Sequence, residues 1–317
     1  MYTTEIGKDV SKAKQWLELG ELVAVPTETV YGLAANALDV KAVAKIYEAK
    51  NRPHFNPLII HVADIDQLKI YVEQLPAECI QLMQKFSPGP LTCLLKKNKR
   101  IPDITTAGSD YVAVRIPDHP LTLELLSQLS FPLAAPSANP SGYVSPVTAQ
   151  HVYEGLHDKI PYILDGGNAT VGLESTIVGF KDGEVIVHRL GGLAVEEIEN
   201  VLGKPVKISI THDAPETPGQ LKSHYATIKK LLIGDIQQMM TQYGHLNFGV
   251  ISFQHTYITD HPQIVLSSKG DMAEAASKLF SAMREMDEKH IEIILAELVP
   301  DIGIGKAIND RLKRAAY

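Results

Sequence analysis

Short apolar runs, each closed by polar or charged residues, alternate from Leu22 to Arg189 with segments of helical period, and that alternation points to an α/β domain. Residues 22–25, 58–62, 91–96, 111–116, 132–135, 162–164, 175–180 and 185–189 read as strands. Between them, Ala13, Trp16, Leu17 and Leu19 form the stripe of a helix over residues 10–19, which Gly20 terminates. Asp39 caps a helix running to Lys50, with Val43, Ile46 and Tyr47 inward. Asp64 caps another to residue 75, and helices over 77–86 and 121–129 follow.

The composition changes after residues 206–210. Residues 213–219 hold two prolines, a glycine and two acids, which suits a linker. A second α/β unit begins beyond it, with strands expected at 231–233, 248–253, 263–266 and 291–295. Residues 271–288 make a helix with Ala275, Leu279, Met283 and Met286 on one face, and residues 303–316 a closing helix with Arg311, Lys313 and Arg314 exposed. The division expected is therefore a first domain over 1–205, a linker or lid over 206–228, and a smaller Rossmann-like domain over 229–317.

Charge narrows the function classes. Lys and Arg total 30 against 37 Asp and Glu, a net −7, which argues against bulk electrostatic attraction to nucleic acid but is compatible with a local basic pocket. Cys79 and Cys93, with no C-x-x-C spacing, read as reduced, half-buried thiols. The first fourteen residues mix charges without an apolar h-region, and no run of about eighteen apolar residues occurs, so a soluble cytoplasmic protein is expected. The P-loop, the G-x-G-x-x-G turn, H-E-x-x-H and G-x-S-x-G are all missing from the sequence.

Chemistry is concentrated where strands end. Pro26-Thr27-Glu28-Thr29 offers two hydroxyls around a carboxylate, or an ordinary strand-to-helix turn. Lys50, Arg52 and Asn56 lie within seven residues among prolines, with His61 next; they suit a phosphate or carboxylate, or a solvated helix end. Arg115, within an apolar run, needs an anion, from either a ligand or an internal carboxylate. Ala135-Pro136-Ser137-Ala138-Asn139 would let a ligand approach the backbone, with Ser137 and Asn139 to one side, or form a turn; Ser145 lies close behind. Glu174-Ser175-Thr176 and His188-Arg189 again set polar groups against apolar strands. Brought together, they would make a cleft with Lys50, Arg52, Arg115 and Arg189 positive, suited to a nucleotide plus a small anionic substrate.

The motifs PTETVYGL (26–33), KNRP then NPL (50–58), SPGPLT (87–92), VAVRIP (112–117), APSAN (135–139) and LEST (173–176) occur in that order, and the chain resembles the threonylcarbamoyl-AMP synthase family. Lys50/Arg52 with Ser137/Asn139 match its signature tetrad, and GIGKAINDRLKRAA (303–316) resembles the closing helix of its two-domain form. The resemblance implies an α/β fold in which a twisted mixed sheet and its helices form a basic concave cleft. It implies an enzyme, a nucleotidyltransferase that makes threonylcarbamoyl-AMP from L-threonine, bicarbonate and ATP for tRNA modification. Thr29, His61, Arg115, Ala135 and Ser175 would surround threonine; Lys50, Arg52, Asn56, Tyr111, Ser137, Asn139, Ser145, Arg189 and Tyr225 would hold ATP. Lys50 and Arg52 would be catalytic, neutralising phosphate charge with a Mg²⁺ that rides on the nucleotide, with no metal held by the protein itself. The product would pass to the tRNA threonylcarbamoyl transferase machinery; direct contact with tRNA is left open. Residues 223–227 carry the tyrosine of the family's lid, Tyr225, but threonine at 227 in place of proline. Two other readings are a non-catalytic RNA-binding protein, disfavoured by the negative charge and few aromatics, and an enzyme making a different carbamoyl adenylate.

Overall fold

The structure, a computed structural model, describes residues 2–209 and 225–316. The expected 213–219 linker, and Ser223 and His224, lie outside the described residues. In chain order the elements are β1 (Glu5–Gly7), α1 (Val10–Glu18), β2 (Val23–Val25), β3 (Gly32–Asn36), α2 (Val40–Lys50), β4 (Ile59–His61), α3 (Ile65–Lys69), α4 (Ala77–Phe86), β5 (Leu91–Lys96), α5 (Asp103–Thr106), β6 (Tyr111–Arg115), α6 (Pro120–Gln128), β7 (Leu133–Ala134), α7 (Ala149–Leu156), β8 (Tyr162–Leu164), β9 (Thr176–Lys181), β10 (Glu184–Arg189), α8 (Val195–Leu202) and β11 (Lys207–Ile208). After the undescribed stretch come β12 (Lys230–Ile233), α9 (Ile236–Gln242), β13 (Phe248–Ser252), β14 (Gln263–Val265), α10 (Met272–Glu288), β15 (Ile293–Ala296) and α11 (Gly305–Ala315).

The first eleven strands form one mixed sheet, ordered β1-β8-β2-β3-β7-β4-β6-β5-β9-β10-β11. The last four form a separate, wholly parallel sheet, β12-β15-β13-β14. The period of two divides each strand of the large sheet between its faces. Leu33, Ile60, Cys93, Val112, Val114 and Val178 join the main core with α2, α4 and α8. On the other face, Val23, Val25, Ala34, Tyr162 and Leu164 pack beneath α1 and α6. Further along that second face, Ile59, Leu94, Ala113 and Ile177 make a small apolar shelf of their own.

Helices with a side-chain cap and a clear period match the sequence reading: Asp39 accepts from the Lys41 amide, and Asp271 from the Ala273 and Glu274 amides. Several expectations change. Residues 26–33 lead not into a helix but into β3, antiparallel to β2, whose GLAAN sequence has neither alternation nor β-branched residues to announce it. Helix α3 spans five residues, and β1, α5, α7, α8 and α9 are additions. Leu19 is 71% exposed and Cys79 and Cys93 are fully buried, in mutual contact. The largest departure is α11, where Arg311 and Arg314 are buried and not exposed, Arg311 against Glu174 of the first domain.

Candidate functional site

Strand register assembles the site. His61 on β4 pairs with Arg115 on β6, Arg115 with Thr92 on β5, Thr92 with Ile177 on β9, and Ile177 with Arg189 on β10. Directly paired residues point to the same face, so five strand-end side chains form one row about 19 Å long at ~4.8 Å per strand. The next row on that face is Ile59, Ala113, Leu94, Gly179 and Ile186. An edge that is polar except for Ile177 thus borders an apolar shelf, an arrangement that suits a ligand with a charged end and a flat, weakly polar end.

Three loops close over the polar row. Thr29 and Val30, Ala135 to Ser137, and Glu174 with Ser175 line a cavity of about 50 Å³ together with Arg52, His61, Arg115, Arg189 and Tyr225. The Glu174–Ser175 segment is held close by Gly191, where a Cβ would collide with the backbone of Glu174, Ser175 and Thr176. A ligand site is normally several hundred cubic ångströms. The Tyr225 ring, 1% exposed, forms part of the lining.

Each cation on this wall is already held by the protein. Arg115 pairs with Glu28 at 2.6 Å and donates to Thr29 Oγ1 at 2.7 Å and to the Gly89 carbonyl at 3.1 Å. Arg189 donates to the Ser175 carbonyl through Nε and Nη2, at 3.0 and 2.9 Å, and Ser175 Oγ hydrogen-bonds Thr92 Oγ1 at 2.7 Å. Arg52 donates to the carbonyls of Asn56 and Pro57. Burial brings both Arg52 and Arg189 down to about 10, still charged at neutral pH. Burial, then the neighbouring Arg115 charge, holds His61 at about 3, so its ring is neutral.

The site residues expected from the sequence fall into three groups. Thr29, Arg52, His61, Arg115, Ala135, Ser137, Ser175, Arg189 and Tyr225 all line the cavity. Lys50, Asn56, Asn139 and Ser145 are buried and absent from its lining. Lys50 Nζ donates to the carbonyls of Ser137 and Asn139 at 2.5 Å each, and burial pushes its ammonium well below its ordinary pKa. It fixes the Ser137–Asn139 turn from beneath instead of facing into the cavity. Tyr111 is not brought to the cavity: four residues down β6 from Arg115, it lines a neighbouring hollow with His188 and Ser209, about 13 Å along the same face. Among the buried polar atoms without a hydrogen-bond partner are the Asn56 amide, His61 Nδ1 and Asn139 Oδ1, and of these only His61 lines the cavity.

Thr92 and Glu174 were not singled out as site residues. Thr92 is visible in retrospect from its place in the SPGPLT segment, one strand over from Arg115. Glu174 Oε1 accepts from Ser145 Oγ at 2.6 Å, while Oε2 takes Nε and Nη2 of Arg311 from α11 at 3.1 and 3.0 Å. No local signal reveals that pairing. Glu174, the carboxylate in the cavity lining, and Glu28, which sits beside Arg115, are therefore both paired with arginines, and among the described residues no group of three or more His, Cys, Asp or Glu side chains could cage a metal. These residues do not fit a resident Mg²⁺. Nor is any helix among the described residues long and apolar enough to cross a membrane.

Residues 15–191 match the family model described as "Telomere recombination", and residues 193–317 match "Threonylcarbamoyl-AMP synthase, C-terminal domain". The threonylcarbamoyl-AMP synthase of Pyrococcus abyssi is 40% identical over 96% of this chain and 93% of its own, and that of Bacillus subtilis 40% over 97% and 92%. The chain belongs to the threonylcarbamoyl-AMP synthase family. Within that family the two-sheet architecture is shared: the crystal structure of P. abyssi Sua5 complexed with L-threonine matches at a TM-score of 0.92 and 38% identity, over 100% of this chain and 97% of that one. A putative threonylcarbamoyl-AMP synthase of Methanocaldococcus jannaschii, 39% identical, aligns with 56% of this chain and 84% of its own, so the family name extends to proteins matching little more than the first domain. HypF, at 19% identity and a TM-score of 0.51, shares the fold alone.

Proposed function

We propose that this chain is an L-threonylcarbamoyladenylate synthase, a nucleotidyltransferase that condenses L-threonine, bicarbonate and ATP. The observation that carries the reading is the convergence of Arg52, Arg115 and Arg189 on one cavity lined by the hydroxyls of Thr29, Ser137 and Ser175. Three guanidiniums with no free carboxylate suit a carboxylate substrate beside a polyphosphate.

Arg115 and Thr29 orient the threonine carboxylate, and neutral His61 faces the same end without adding charge. The threonine amine bonds to the carbon of bicarbonate-derived carbon dioxide, and one water is released. A carbamate oxygen then attacks the α-phosphorus; the bond to the β-phosphate oxygen breaks and pyrophosphate leaves. Arg52 and Arg189 stabilise the phosphate charge. Lys50 contributes by holding the Ser137–Asn139 turn against it. The nucleoside lies towards the Ile59–Leu94–Ala113 shelf, with Tyr111 beyond. Mg²⁺ enters with ATP as part of the substrate. Tyr225 closes the cavity, so the mixed anhydride is kept from water until it is passed to the machinery that modifies tRNA.

The test is pyrophosphate release from ATP and Mg²⁺ with threonine or bicarbonate omitted in turn. Release that requires both is expected; release without either, or none from folded protein, removes the assignment.

A further inference from the structure

Arg311 is the largest fully buried side chain among the described residues, and the last helix of the second domain supplies it to Glu174, a lining residue of the cavity in the first. Besides its two bonds to Glu174 Oε2, it donates to Asp310 Oδ2 at 2.8 Å, and its guanidinium carbon lies 5.2 Å from the centre of the Tyr225 ring. Tyr225 has a φ of +70°, a backbone conformation that a tyrosine adopts only where tertiary contacts impose it. Its ring is held between Arg311 and Phe280, the latter stacked at 5.4 Å. A second arginine of that domain, Arg284 on α10, is 3% exposed and donates to the carbonyls of Val144 and Ser145. Ser145 is thus gripped by its carbonyl through Arg284 and by its hydroxyl through Glu174 and Arg311.

We propose that Arg311 is a positioning residue for the nucleotide half of the site, so that the second domain is a working part of the active site. The inference rests on the synthase reading above. Arg311 acts through two intermediaries: it packs over the Tyr225 ring and holds it in the cavity lining, and it occupies the Glu174 carboxylate. The second action matters because Glu174 also interacts electrostatically with Arg189. With Arg311 gone, Glu174 is a buried carboxylate that has lost two charge-assisted hydrogen bonds, and Arg189 is a cation that already feels its charge. A Glu174–Arg189 pair would compete with the phosphates for Arg189 and release Ser145. At the threonine end Arg115, Glu28 and Thr29 keep their own pairings, and Ser175 keeps its bond to the Thr92 hydroxyl.

The experiment is steady-state pyrophosphate release by the full chain, with KM measured separately for ATP and threonine in the wild type, Arg311→Met, Glu174→Gln and the double variant, beside thermal midpoints. Arg311→Met should raise KM for ATP about tenfold or more and leave that for threonine within about twofold. The double variant should regain the part of the ATP affinity lost through Glu174, because the competing carboxylate is gone, and keep the part lost through Tyr225. If KM for both substrates rises together, or the double variant is no better than Arg311→Met, Arg311 is a structural ion pair and the proposal fails. Should Arg311→Met not fold, Arg311→Gln, paired with Glu174→Gln/Arg311→Gln, gives the same comparison, because glutamine leaves the Glu174 charge unanswered. Wild-type protein without threonine-dependent release would overturn the synthase reading itself, an outcome separate from either result for Arg311.

Discussion

Gly172 is where the backbone of the first domain comes against α10 of the second, one residue before the segment that carries Glu174 and Ser175. Its φ is +73°, and a Cβ there would sit 2.5 Å from Ser277 Cα, 2.7 Å from the Ala276 carbonyl and 2.8 Å from the Ser277 carbonyl. Those atoms are helix backbone and cannot rotate away, so Gly172→Ala must part the two surfaces by an ångström or so. Overpacking of this kind costs about 1–3 kcal/mol, and a left-handed alanine about 1–2 more, for a total near 2–5 kcal/mol. The loss should appear in urea unfolding as a lower midpoint with an unchanged slope. Because Ala275, Ala276, Leu279 and Phe280 share one apolar cluster with Val144, Val147 and Leu173, parting the surfaces should also loosen the Glu174 segment and lower kcat/KM for ATP. A Gly172→Ala variant within 0.5 kcal/mol of wild type would refute the claim that this contact is close and rigid.

Other outcomes can be stated more briefly. Arg115→Lys should raise KM for threonine about tenfold while that for ATP stays within about threefold; equal rises in a comparison of the two KM values would remove its carboxylate-binding role. His61 titrates near 3 in the folded chain and near 6.5 when unfolded, so its stabilising contribution is whole above pH 6.5 and is lost as pH falls towards 3. His151, held at about 4, shares that window, so the clean comparison is His61→Gln against wild type in urea at pH 7 and pH 4.5, where the variant should lose less stability on acidification, by up to about 2–3 kcal/mol. Lys50→Met strands two buried carbonyls, at about 1–3 kcal/mol each, partly offset by no longer burying a charge. It should lower both stability and kcat, and a stable variant of normal activity would show that the Ser137–Asn139 turn stands without it.

What the sequence discloses and what it hides follow a physical division. Helices such as α2 and α10 are legible because Asp39 and Asp271 cap them and their apolar residues keep one period. The cleft is legible because its members close apolar strands, and the register of neighbouring strands brings strand ends together. Strand β3 is hidden because glycine, leucine, two alanines and asparagine carry no strand preference, and pairing on both sides makes it a strand. Tyr111 shares the parity of Arg115, yet four residues along an extended strand separate them. Arg311 and Arg314 read as a solvated face because partners such as Glu174, 137 residues from Arg311, leave no trace in a local pattern.

An acidic protein makes a basic cavity here without leaving its cations loose. Lys50 is spent on two carbonyls, Arg52 on two more, Arg115 on Glu28, Thr29 and Gly89, and Arg189 on Ser175. Each guanidinium is thereby fixed before a substrate arrives, so little reorganisation is required as charge develops on the phosphates. The same economy explains why Glu174 needs Arg311. A carboxylate beside Arg189 helps to place it only while its own charge is answered from the far side, and in this chain that answer comes from the second domain.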